Sequence, residues 1–231
     1  NMPGNRNKPK KTVPKQAVNL RKATASLNTG NSNKSVPVAF GQVRTMSGPR
    51  IDRRNNGDCR VSHREFLTDI IPDGSEFQVL KFPMNPGCAA TFPWLNRIAQ
   101  NYESYRFEQL RFHYETAVSS ATSGTVMLIP DYDPDDPLPR TKKEALPSRG
   151  SARAQPWMSF VMTSSKEDLA KRKTYYVRSD SAAPDDLRSS DTGNLFVALS
   201  GVAASPQAIG ELWVEYDVQL MTPASDETHE G

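Results

Sequence analysis

The chain has 231 residues, 36% of them hydrophobic and 24% charged, with two cysteines and a formal net charge of +3. Its length suits one folded domain, and Cys59 and Cys88 make no disulfide framework and match no metal-binding spacing, so reduced thiols are expected. No apolar run is long enough to cross a bilayer and the N-terminus lacks the apolar core of a secretory signal, which predicts a soluble intracellular chain with no membrane partner.

The net charge conceals two parts of opposite sign. Residues 1–54 carry twelve Lys and Arg against one Asp, whereas the remainder carries 17 bases and 25 acids. The basic part is poor in large apolar groups and rich in Asn, Ser, Pro and Gly, so it cannot bury enough surface to offset the entropy of ordering it. It is predicted to be a largely disordered arm and linker (1–54), followed by one folded domain (55–231). A basic arm on an acidic globule suits a polyanion at one end and protein at the other. Arg6, Lys8, Lys10, Lys11, Lys15, Arg21, Lys22 and Lys34 are the candidate RNA-binding residues. With no aromatic before Phe40, binding is expected to be phosphate-directed and indifferent to sequence. Lys8–Lys15 taken alone also suits a solvated tail or a localisation signal.

Beyond Gly57, short runs rich in Val, Phe, Tyr, Leu and Thr are bounded by Gly, Pro, Asp and Ser, the pattern of an all-β domain. Eight strands are predicted: 59–70, 75–84, 105–116, 123–130, 157–163, 174–179, 194–201 and 210–222. Two are clearest. Leu110, Phe112 and Tyr114 alternate with Gln109, Arg111, His113 and Glu115, and Leu212, Val214, Tyr216, Val218 and Leu220 alternate with polar neighbours and Trp213, as half-buried strands require. Short helices are expected at 93–102, where Trp94, Leu95, Ile98 and Tyr102 lie at helical spacing, at 142–146 and at 184–189. Antiparallel strands with long, partly helical connections predict an eight-stranded antiparallel jelly-roll sandwich.

No nucleophile elbow, phosphate-binding loop, dinucleotide fingerprint or paired-histidine motif is present, so an enzyme is not expected. His63 and His113 are read as surface or interface strand residues, and Trp94, Trp157 and Trp213 as packing or interface residues. One cluster stands apart: Asp131, Asp133, Asp135 and Asp136, directly after an apolar strand. Carboxylates at i, i+2 and i+5 on a proline-constrained turn can converge on a hard divalent cation, calcium being the natural choice. Asp and Pro are also ordinary turn formers, so a solvated acidic turn is the other reading. Clustering predicts at least one carboxylate that titrates above its usual range, and one turn cannot complete a six- to eight-oxygen shell.

Several runs together carry a family likeness: Val61–Ile70 (VSHREFLTDI), Asn85–Gly87 (NPG), Phe92–Thr116 (FPWLNRIAQNYESYRFEQLRFHYET), Thr122–Pro137 (TSGTVMLIPDYDPDDP), Gly193–Gly201 (GNLFVALSG) and Gly210–Leu220 (GELWVEYDVQL). In this order they resemble the shell domain of coat proteins of small icosahedral positive-strand RNA plant viruses, of the tombusvirus and sobemovirus type. The resemblance implies a capsid protein whose copies assemble into a virion shell of the T=3 kind around single-stranded RNA, built in the host cytoplasm. It also implies calcium at subunit interfaces, with Asp131, Asp133 and Asp136 as ligands, Asp135 a weaker candidate, and a second subunit completing the site. Asp180, Asp185 and Asp186 are candidates for that second set by composition alone. With about nine residues after Thr222, no protruding domain is expected. The alternatives are a non-viral calcium-dependent jelly-roll module with an RNA-binding tail, or a hydrolase of unrecognised site.

Overall fold

Strands alternating on one face must bury that face against a second layer, and the chain does so with two antiparallel sheets. The structure, a computed structural model, describes residues 45–180 and 186–225. The candidates Arg6, Lys8, Lys10, Lys11, Lys15, Arg21, Lys22 and Lys34 lie outside the described residues, as does Asp185. In chain order the strands are β1 (Arg50–Arg53), β2 (Cys59–Ile70), β3 (Phe77–Pro83), β4 (Tyr102–Thr116), β5 (Thr125–Asp131), β6 (Ala152–Ala154), β7 (Phe160–Thr163), β8 (Tyr175–Tyr176), β9 (Asn194–Ser200) and β10 (Gly210–Pro223). One sheet runs β1-β2-β10-β4-β7, with β8 also on β4, and the other runs β3-β9-β5-β6.

All eight expected strands are present, several of them shorter than expected. β7 starts at Phe160 rather than Trp157, and β8 shrinks to Tyr175–Tyr176. β1 and β6 were not expected. β1 is exposed at all four residues and owes its form to pairing with β2, in the register Arg50↔Ser62 to Arg53↔Cys59. β1 thus lies on the N-terminal side of the expected boundary at Arg54. Among the described residues four short helices accompany the strands: α1 (Asn96–Ala99), α2 (Lys142–Ala145), α3 (Lys166–Leu169) and α4 (Leu187–Ser190). The expected helix at 93–102 is cut short because Tyr102 already pairs in β4, opposite Pro223. α3 was missed, although Ser165 caps it by accepting the Asp168 N–H through its side chain in the S-x-x-D pattern of a helix start.

The two clearest strands form the centre of the larger sheet, paired from Gly210↔Thr116 to Pro223↔Tyr102. Their inward residues Leu110, Phe112, Tyr114, Leu212, Val214 and Tyr216 are almost fully buried and meet Val126, Leu128, Leu195, Val197 and Leu199 of the smaller sheet. The smaller sheet is buried on its other face too, where Met127, Ile129, Phe196 and Ala198 pack with Ala145 and Leu146 around α2. That explains why β5 and β9 read as continuous apolar runs rather than alternating ones. Among the described residues no helix is long and apolar enough to cross a membrane.

Candidate functional site

The acidic turn leaves the core at the end of β5, where Asp131 pairs with Asn194, the first residue of β9. The two chains approach so closely there that a Cβ on Gly193 would lie 2.2 Å from the Asp131 carbonyl oxygen; only glycine fits. The turn then organises itself with its own carboxylates. Asp131 Oδ1 accepts the Asp133 N–H at 3.1 Å, Asp133 Oδ1 accepts the Asp135 N–H at 3.2 Å, and the Asp136 N–H reaches the Asp133 carbonyl at 3.2 Å. These are the side-chain-to-backbone turns that Asp favours. The Asn194 amide donates to the Pro134 carbonyl at 3.1 Å and pins the turn to β9.

The carboxylates differ in electrostatic state. Asp131 is half-buried, and burial raises its pKa, with the Asp136 and Asp133 charges adding and the Asp133 N–H opposing. The expectation of one carboxylate titrating above its usual range holds at Asp131, chiefly through desolvation rather than through repulsion. Asp133 is held below its usual range, first by hydrogen bonds from Arg188. The guanidinium grips it from α4, Nε on Oδ1 at 3.0 Å and Nη2 on Oδ2 at 2.9 Å, and Nε lies 3.2 Å from Asp135 Oδ2. Asp135 and Asp136 are exposed. Lys171 donates to the Tyr132 carbonyl at 3.2 Å and lies over the Tyr132 ring.

Asp131, Asp133 and Asp136 thus share one turn, but among the described residues no three His, Cys, Asp or Glu side chains gather closely enough to hold a metal. The donor set is nevertheless suited to a hard cation: anionic oxygens, one partly desolvated, and one already attracting the guanidinium as a cationic stand-in. Of the candidates for a second set, Asp180 accepts the Ala89 and Ala90 N–H groups, and Asp186 caps α4 by accepting the Arg188 N–H at 3.0 Å. Both are engaged locally.

A buried polar hub beside the turn was not anticipated. Arg178 binds Asp191 with both ends of its guanidinium, at 2.7 and 2.6 Å, and the side chains are 12% and 2% exposed. The Asn85 amide donates to the Ser190 carbonyl at 2.9 Å and the Tyr176 carbonyl at 3.0 Å, while its oxygen accepts the Gly87 and Arg178 N–H groups. The Tyr105 hydroxyl donates toward the Ser190 and Met84 carbonyls. Four stretches of chain, around Asn85, Tyr105, Arg178 and Asp191, are tied together here, and the C-terminal end of α4 is fixed. The NPG motif marked one member of the hub without indicating its partners.

His63 and His113 are less exposed than expected. His113 is buried, with Nε2 2.9 Å from Glu215 Oε2, and His63 packs edge-on to Trp94 at 5.1 Å, its pKa lowered by burial. Glu65, buried beside Trp94, accepts the Trp94 N–H at 2.5 Å. On the outward face of the larger sheet, basic and acidic side chains pair across strands: Arg60 with Asp217, Arg64 with Glu115, and Arg111 with Glu215.

Known proteins share this fold. The structure of Melon necrotic spot virus superposes with a TM-score of 0.73 at 28% identity, covering 86% of this chain and 60% of that one. That of Tobacco necrosis virus superposes at 0.71 over 82% of this chain and 93% of that one, and at 20% identity it speaks for the fold alone. The capsid protein of Melon necrotic spot virus is 32% identical over 196 residues, which is 82% of this chain and 48% of that protein. The capsid protein of Tomato bushy stunt virus (strain Cherry) is 29% identical over 83% of this chain and 49% of that protein. The chain thus spans about half the length of the capsid proteins it matches. The family model for the viral coat protein S domain matches residues 33–226, and with the jelly roll and motif order described above, the chain belongs to that coat-protein family.

Proposed function

We propose that the chain is a capsid subunit whose copies assemble into an icosahedral shell of the T=3 kind, enclosing single-stranded RNA through the basic arm. The observation that carries the reading is the match of nearly the whole folded domain to the coat-protein shell domain, with capsid proteins as relatives. The charge division supports the RNA part. The folded part is acidic overall and lends no indiscriminate affinity for a polyanion, whereas Arg6, Lys8, Lys10, Lys11, Lys15, Arg21, Lys22 and Lys34 concentrate positive charge on one segment. A capsid of this type would place the protein in the virion.

Calcium at the subunit boundary is part of this proposal. Asp131, Asp133 and Asp136 would hold it with oxygens from a neighbouring subunit, and the ion would supply positive charge that offsets carboxylate repulsion across the interface. The half-buried Asp131, whose pKa burial raises and which sits beside the Asp133 and Asp136 charges, supports that reading.

The test is assembly of the full chain with RNA. Electron microscopy and nuclease protection should show uniform closed particles containing protected RNA, and deletion of residues 1–34 should yield empty or smaller shells. A normal RNA load after that deletion rules out the arm's role, and a small soluble oligomer in place of particles rules out the capsid reading. For calcium, chelation at mildly alkaline pH should slow the sedimentation of wild-type particles. Substituting Asp131→Asn and Asp133→Asn together should abolish both bound calcium and that response.

A further inference from the structure

We propose that Arg188 is the resident counter-cation of the acidic turn, withholding Asp133 from a divalent ion that must displace it to bind. The inference rests on the calcium reading above and concerns a residue with no carboxylate to offer. Both oxygens of Asp133 are engaged by the guanidinium, at 3.0 and 2.9 Å, and Oδ1 also accepts the Asp135 N–H at 3.2 Å. A carboxylate oxygen has two lone-pair sites, so Oδ1 is filled. A cation bridging Asp131 and Asp133 therefore finds Asp131 available in charge and Asp133 already spent. The planar fork of Arg suits such a two-point grip, which Lys cannot reproduce.

The arginine is aimed, not merely adjacent. Its own N–H is tied to Asp186 Oδ1 at 3.0 Å at one end of α4. At the other end Ser190 and Asp191 are anchored in the buried hub by Asn85, Tyr105 and Arg178. The Cα of Arg188 thus sits on a fixed platform while its head remains 56% exposed and free to swing into water. An exchangeable charge on a rigid base gives the turn two neutralised states, one with guanidinium on Asp133 and one with a metal ion. Without either, Asp131, Asp133 and Asp136 repel one another.

Calcium binding to metal-stripped, full-length particles, measured by equilibrium dialysis, decides the matter. Arg188→Gln should tighten calcium binding about two- to fivefold at low ionic strength, the range open to an exposed ion pair. Arg188→Lys should fall between the two proteins, and serves if the glutamine variant assembles poorly. Arg97→Gln, which removes the same charge from the exposed surface of α1, should bind as the wild type does. If the wild type binds calcium and Arg188→Gln binds it equally or more weakly, the arginine is no competitor and the proposal fails while the calcium reading survives. If neither protein binds calcium, both fail.

Discussion

Breaking the Arg178–Asp191 pair should be the most damaging single change of charge in the fold. With Arg178→Met, Asp191 stays 2% exposed and keeps only the Asn85 amide, 3.1 Å from Oδ1, as a side-chain donor. Stranding a buried charge in this way typically costs about 3–5 kcal/mol. Because Arg178 is itself 12% exposed and water can reach the space it leaves, the lower end, about 3 kcal/mol, is expected. The comparison is Arg60→Met, whose partner Asp217 and own head are 24% and 43% exposed; loss of such a pair is worth about 0–1 kcal/mol. Urea unfolding of full-length, chelator-treated subunits should separate the two variants by at least about 2 kcal/mol. Adding Asp191→Asn to Arg178→Met removes the stranded charge and leaves an amide oxygen for Asn85, so at least half the loss should return. Variants of Arg178 and Arg60 with the same midpoint would refute the reasoning, since burial would then not distinguish the pairs.

Two further outcomes can be checked. Burial raises the Glu65 pKa above its ordinary value of 4.5, with the Trp94 and Leu95 N–H groups opposing. A carboxyl whose folded pKa is raised favours folding most when protonated, and that contribution is lost as pH climbs from 4.5 through the raised value; wild-type urea midpoints should fall across that window relative to Glu65→Gln. Gly193→Ala would set its Cβ 2.2 Å from the Asp131 carbonyl oxygen and 2.9 Å from Tyr132 Cα, both backbone, so about 1–3 kcal/mol should be lost. The Met84 N–H, bonded to the Gly193 carbonyl at 2.8 Å, should then exchange faster, while Gly48→Ala, which meets nothing within 4 Å, should have no effect.

What could be read from the sequence divides by the range of the interaction involved. β4 and β10 were legible because each pays the cost of one wet face with alternation, and β9 because six of its seven residues are buried, which a continuous apolar run reports directly. β1 was not legible: Arg-Ile-Asp-Arg carries no burial pattern, and only the neighbouring edge of β2 makes it a strand. The acidic turn was legible because its carboxylates lie within six residues and organise one another locally. Its neutralising charge was not, because Arg188 is 55 residues from Asp133. Yet that meeting follows from topology. β5 and β9 are neighbours in register, Asp131 opposite Asn194, so whatever precedes β9 must lie beside whatever follows β5. The segment before β9 is α4. Once that pairing is known, a base on α4 has the acidic turn as its nearest anion, and the electrostatics of the site is set by strand order rather than by the spacing of the aspartates.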